Sequence, residues 1–264
     1  MSKADRRRSR RKGTPIPFLV AGAVIALVIG WSLYSRAQPA PSSAPSEAAQ
    51  VAALTTSVAA ATFDQVGAGG LADPLKATAF TTLRGDAGKP LVVYVGADYC
   101  PYCASERWSV VAALSRFGTF RDLALTTSSS SDVYPDTPSF TFRGASYSSE
   151  IVEFSFVETA DREGKPLATP TPVQRSALDR SDPRAAIPFL SVADRFVAVG
   201  SGYRPDVLAG RSHLEIARSL SDPTSAIARG IIGNANHITA AICEVTGDQP
   251  ASVCSSAAVR GLAR

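Results

Sequence analysis

Apolar residues along this chain fall into short β-branched runs and longer segments with helical spacing. LVVYVG at 91–96, behind Lys89-Pro90, is apolar throughout and predicts a strand covered on both faces. ASERWSVVAALSRF at 104–117 then brings Val110, Leu114 and Phe117 onto one helical face, and Gly118 stops the helix. Leu123 to Thr126 predicts the next strand. IVEFSFV at 151–157 alternates, with Val152, Phe154 and Phe156 on one side, and predicts another. VQRSALDRS at 173–181 reads as a short helix. FLSV and FVAV, within 185–202, flank Ala193-Asp194-Arg195 as a tight hairpin. The ending is helical: SHLEIARSL, a break at Ser221-Asp222-Pro223, then TSAIARGIIGNANHITAAIC. Strand, helix, strand, an insertion, hairpin and helix make an α/β architecture.

A third kind of apolar stretch stands near the start. From Ile16 to Tyr34 the chain runs 19 residues without a charge, about 28 Å as a helix. Residues 1–12 carry seven Lys or Arg against one Asp. A basic cluster on one flank reads as positive-inside, and Trp31 and Tyr34 suit the opposite interface. The reading is a basic cytoplasmic tail at 1–15, a single-pass membrane anchor at 16–34 and an extracytoplasmic remainder. A cleaved signal peptide ending near Ser35-Arg36-Ala37 is the competing reading, set against by an apolar stretch longer than a signal's. Residues 35–51, rich in Ala, Pro and Ser, read as a flexible tether, and 52–264 as the folded domain. The run SSSS at 128–131, followed by DVYPDTPS, is loop, and an insertion is expected over about 128–184.

Charge narrows the partners. With the tail and Arg36 removed, residues 37–264 hold 19 basic and 22 acidic side chains, a net of −3, which does not favour nucleic acid.

The chemistry centres on YVGADYCPYC at 94–103. A C-x-x-C behind a buried strand and at the start of a helix puts its first cysteine where unpaired N–H groups and the helix dipole favour a thiolate. Cys100 is that residue, an exposed nucleophile. Cys103, one turn on, is the shielded resolving thiol, and Pro101 fits the first turn. Export makes oxidation of the four cysteines plausible. They allow three pairings, of which one joins near neighbours twice: Cys100 with Cys103, and Cys243 with Cys254. A Cys243–Cys254 bridge would fasten the last helix to the chain's end; its functional alternative is a second redox pair.

Strand, Cys-Pro-Tyr-Cys and helix resemble the thioredoxin superfamily, with the Pro-Tyr dipeptide of glutaredoxins. The resemblance extends to Ile187-Pro188 ahead of the hairpin, where that superfamily has a cis-proline beside its redox pair and a preceding residue that bonds a bound polypeptide. It implies a thioredoxin-like fold in which Ile187 and Pro188, with Tyr99 and Tyr102, contact substrate. ADYCPYCASERW, DVYPDTPSFTFRGASYSS and the final helical region are more narrowly similar to an uncharacterised family of membrane-anchored, thioredoxin-like prokaryotic proteins, over roughly residues 52–260. The implied activity is thiol–disulfide exchange on protein disulfides or thiols, with a redox partner and no cofactor. The sequence departs from the pattern in Tyr99, where thioredoxins usually carry Trp, in about 55 residues between the second strand and the hairpin, and in Asp98, which would oppose a Cys100 thiolate if close.

Other readings need ligands or motifs that are scarce. His213 and His237 are the only histidines and no second C-x-x-C exists, so structural zinc is poorly supplied. Copper delivery through Cys100, Cys103 and one histidine lacks a methionine-rich segment. A non-catalytic binding module with a vestigial pair is the alternative from another class. No G-x-S-x-G, H-E-x-x-H or phosphate-binding loop occurs.

Overall fold

The computed structural model describes residues 45–262. The basic tail, the apolar segment 16–34 and the tether as far as residue 44 lie outside the described residues. Among those described, no helix is long and apolar enough to cross a membrane.

The elements in chain order begin with α1 (Glu47–Thr56), α2 (Ala60–Val66), β1 (Lys76–Ala77), β2 (Leu91–Gly96) and α3 (Pro101–Leu114). There follow β3 (Thr119–Arg121), β4 (Ala124–Thr127), β5 (Pro138–Thr141), β6 (Ser146–Ser148), β7 (Glu153–Glu158) and α4 (Pro172–Ser181). The last are β8 (Phe189–Val192), β9 (Phe196–Val199), a 3-10 turn at Pro205–Leu208, α5 (His213–Ser219), α6 (Ala226–Val245), α7 (Ala251–Cys254) and α8 (Ala257–Arg260).

Among the described residues a five-stranded mixed sheet runs in the order β1-β9-β8-β2-β7. β2 lies parallel to β7 and antiparallel to β8, with Val93 opposite both Ser155 and Ser191. All six residues of β2 are buried, as a strand covered on both faces requires. Val92 and Tyr94 belong to the larger core, with Trp108, Leu114 and Ile231. Leu91, Val93 and Val95 face a smaller core closed by Ala177 and Leu178 of α4. The result is an α/β domain whose mixed central sheet is flanked by helices.

Two expectations are corrected. The tether expected over 35–51 ends earlier: α1 begins at Glu47, where the Ser46 side chain accepts the Ala49 N–H at 3.2 Å. EAAQVAALTT is made of good helix formers, and burying Val51 and Thr55 anchors it. The insertion drawn over 128–184 contains β7, an edge of the central sheet, and α4, the cover of one sheet face. The added material is instead two small two-stranded sheets, β3 with β6 and β4 with β5. Leu123–Thr126, read as the next strand, forms β4, which pairs with β5 outside the central sheet, Leu125 opposite Phe140.

The α3 helix has no solvent face. Every residue but Tyr102 is buried, because α6 covers the side away from the sheet and β5 covers a flank. Trp108 packs on Phe140 at a centroid distance of 4.7 Å and donates its Nε1–H to the Pro138 carbonyl at 2.9 Å. The Ser109 hydroxyl donates to the Ile231 carbonyl of α6 at 3.0 Å. Where α6 passes the Gly67–Gly70 turn, a Cβ on Gly69 would lie 2.1 Å from the Arg229 carbonyl oxygen, so only glycine fits.

Candidate functional site

Gly96 ends β2, and Ala97, Asp98 and Tyr99 carry the chain to Cys100, the N-cap of α3. Cys100 is extended (φ −78°, ψ 121°), with Pro101 in the first turn. The Cys103 N–H donates to Cys100 Sγ at 3.3 Å, and the Ala104 N–H to the Cys100 carbonyl at 2.9 Å. The sulfur thus stands where a serine or aspartate oxygen normally caps a helix, a position that favours negative charge.

Both cysteines are unbonded thiols, and both are buried. The expectation of an open Cys100 is corrected: it is only 6% exposed, and Cys103 is fully covered. The loop after β4 closes on this turn, its Ser129 N–H bonding the Tyr99 carbonyl at 2.9 Å. The two thiols are driven apart. A hydrogen bond from the Cys103 side chain is the main influence lowering Cys100; backbone N–H groups and the Arg107 charge assist, and burial opposes. Burial, followed by the interactions with Cys100, pushes Cys103 well above the ordinary thiol value. A thiolate therefore forms first on Cys100.

Beneath the pair lies a buried ionic cluster. Arg107 donates through Nε and Nη2 to the two oxygens of Glu158, each at 2.8 Å, and Nη2 also reaches the Ala97 carbonyl at 2.6 Å. Asp98 sits 3.5 Å from the same guanidinium and 3.8 Å from Arg143. The anticipated opposition of Asp98 to the thiolate is thus offset by cations, Arg107 among them. Tyr94 completes the cluster, its phenol pushed well up by burial. Glu158 lies opposite Gly96, and a Cβ there would come within 2.3 Å of the Tyr94 hydroxyl oxygen. Glycine at 96 makes room for the phenol.

On another side of α3, Glu106 is 1% exposed. It accepts from the Gly202 N–H at 3.0 Å and from Asn234 Nδ2 at 2.8 Å. Burial raises its carboxyl from 4.5 to about 7. Sequence reasoning missed Glu106, Arg107 and Glu158. One signal was available: the alternation that puts Val152, Phe154 and Phe156 on one face continues to Glu158.

The expected substrate residues are placed as follows. Ile187-Pro188 is a cis peptide, and Pro188 immediately precedes β8, whose Phe189 pairs with Val95. It therefore stands beside the end of β2 that leads to Cys100. Tyr102 is 39% exposed and meets Tyr134 edge to face at 5.8 Å. Tyr99 is half-buried and lines a groove beside the pair. Phe140 and Phe142 are core residues. Cys243 and Cys254 form a disulfide that ties the end of α6 to α7. Among the described residues, no group of three or more His, Cys, Asp or Glu side chains is placed to hold a metal ion.

No curated protein and no solved structure gives a significant match to the chain. Residues 84–180, from the approach to β2 through the cysteine pair and the added sheets into α4, match the family model described as a domain of unknown function (DUF929), and over that span the chain is similar to it.

Proposed function

We propose that this chain is a thiol–disulfide oxidoreductase of thioredoxin-like architecture, held at the outer face of a membrane by residues 16–34 and acting on protein disulfides or thiols. The observation that carries the reading is the helix-capping sulfur of Cys100, which accepts the Cys103 N–H while its partner thiol is kept protonated by burial. The position of Ile187-Pro188 beside the end of β2 supports it.

In the reducing direction the Cys100 thiolate attacks a client disulfide. A Cys100–client disulfide forms and one client sulfur leaves as thiolate. Cys103 then attacks Cys100 Sγ, forming the Cys100–Cys103 disulfide and releasing the second client thiolate. Two electrons pass from the pair to the client, and the two thiol protons end on the client's sulfurs. In reverse, the same steps oxidise client thiols.

Trapping tests the reading. The Cys103→Ser chain should accumulate a mixed disulfide with client proteins, and the Cys100→Ser chain should not. Equal trapping by both, or by neither, would refute the assignment. For the proposed topology, a membrane-impermeant thiol reagent added to intact cells should label Cys100 of the reduced pair.

A further inference from the structure

The added loop builds a groove against the redox turn. It encloses about 490 Å³ between the loop 129–133 and the turn at 161–164, with Tyr99, the neighbour of Cys100, at one end. Its walls are fastened in place. Ser129 N–H bonds the Tyr99 carbonyl at 2.9 Å, and Asp161 N–H bonds the Lys165 carbonyl at 2.9 Å. Arg162 is a strut between the walls, reaching the Ser128 carbonyl at 3.2 Å and Asp136 at 2.5 Å.

The charges of this groove do not balance. Arg162 is engaged by Asp136 and, at 3.7 Å, by Glu163. Asp132 has an N–H donor in Val133 at 2.6 Å and, among the described residues, no cation within ion-pair distance. Of the residues lining the groove, Asp132 and Glu163 carry carboxylates and Arg162 a guanidinium that Asp136 and Glu163 already engage. The uncompensated carboxylate, Asp132, lies close enough to the active turn to join burial and the two cysteines in pushing the Tyr99 phenol up. Val133, 66% exposed, adds apolar surface to the groove.

We infer that this groove receives the stretch of a client polypeptide next to its reacting cysteine, with Asp132 as the subsite for a lysine or arginine of that stretch. The inference rests on the redox reading for the identity of the occupant. A docked chain strips water from Asp132, which a cationic side chain compensates and an acidic one aggravates. Partly exposed ion pairs contribute a few tenths to 1 kcal/mol, so replacing lysine by glutamate, which exchanges an attraction for a repulsion, should change rates by roughly fivefold.

The test uses the reduced full chain and peptides whose one cysteine carries 2-thiopyridine in a mixed disulfide. The peptides are identical except for Lys, Gln or Glu beside the cysteine. Cys100 Sγ bonds to the peptide sulfur, and 2-thiopyridone leaves with the electron pair and is read by absorbance. At low ionic strength the rates should fall in the order Lys, Gln, Glu, with about fivefold between the ends. The Lys/Glu ratio should approach one in Asp132→Asn and at high salt, and invert in Asp132→Lys. It should stay at the wild-type value in Asp179→Asn, a change on α4. Reading a ratio within each protein cancels any general change in reactivity. A second arm measures affinities of the serine versions of the peptides for the Cys100→Ser, Cys103→Ser chain. Exchange without charge preference overturns the groove and leaves the redox reading intact. A Lys preference in binding, lost in Asp132→Asn, supports the groove even if no peptide exchanges, an outcome that instead removes the redox reading.

Discussion

Glu106 is a buried carboxyl whose surroundings make the domain's stability depend on pH near neutrality. Replacing it with glutamine removes the titration while keeping an acceptor for the Gly202 N–H. The Gly202 N–H and Asn234 Nδ2 donate to the same carboxylate oxygen, Oε2, so a glutamine oxygen in that place keeps both bonds. The magnitude follows from the carboxyl's rise from 4.5 to about 7. That is about two and a half decades of proton affinity at ~1.4 kcal/mol each, so about 3 kcal/mol. Below pH 4.5 both folded and unfolded chains hold the proton and no penalty exists. Between 4.5 and about 7 the unfolded chain releases it while the folded chain keeps it, so stability falls as pH rises. Above that window both are ionised and the full penalty is in place. Urea unfolding of wild type and Glu106→Gln at pH 5, 6, 7 and 8 reads the difference directly. Glu106→Gln should gain on wild type progressively, by about 3 kcal/mol across the full window. A difference between the two proteins that stays flat with pH would refute the reasoning.

Other expectations follow from the same neighbourhood. Cys103→Ala removes the strongest influence lowering the Cys100 thiol, so the pH profile of Cys100 alkylation should move upward and its rate at neutral pH should drop; an unchanged profile would contradict the hydrogen-bond assignment. Arg107→Met leaves Glu158 and Asp98 buried without their shared cation, and denaturant unfolding should show a loss of about 3–5 kcal/mol, reduced when Glu158→Gln is added. Opening the Cys243–Cys254 bridge by a double serine substitution should destabilise by about 3 kcal/mol on loop entropy, given a separation of 11 residues, without altering the rate of Cys100 alkylation.

Where a segment buries one repeated pattern, its sequence disclosed it. β2 was legible because six apolar residues in a row fit only a doubly covered strand, and the β8–β9 hairpin because two short runs flank Ala193-Asp194-Arg195. The N-cap of α3 was legible from Cys100-Pro101 behind that strand. The partners of α3 were not. Reading one apolar stripe through Val110, Leu114 and Phe117 assumes a wet opposite face, and Glu106 with Arg107 looked like that face. Their burial depends on Asn234 and Glu158, 128 and 51 residues further along the chain, whose approach is a tertiary event. The groove escaped for a similar reason, since nothing local in the serine run says that Ser129 will bond the Tyr99 carbonyl.

Encasing α3 on all sides has a consequence for how this protein can change over generations. The side chains that adjust the sulfur chemistry are the same ones that hold the domain together, so a single replacement at 107 or 158 alters both at once. Variation in electron-transfer behaviour should then arise through compensated pairs at those positions, while the surface loop beside Tyr99 is left free to diversify one residue at a time.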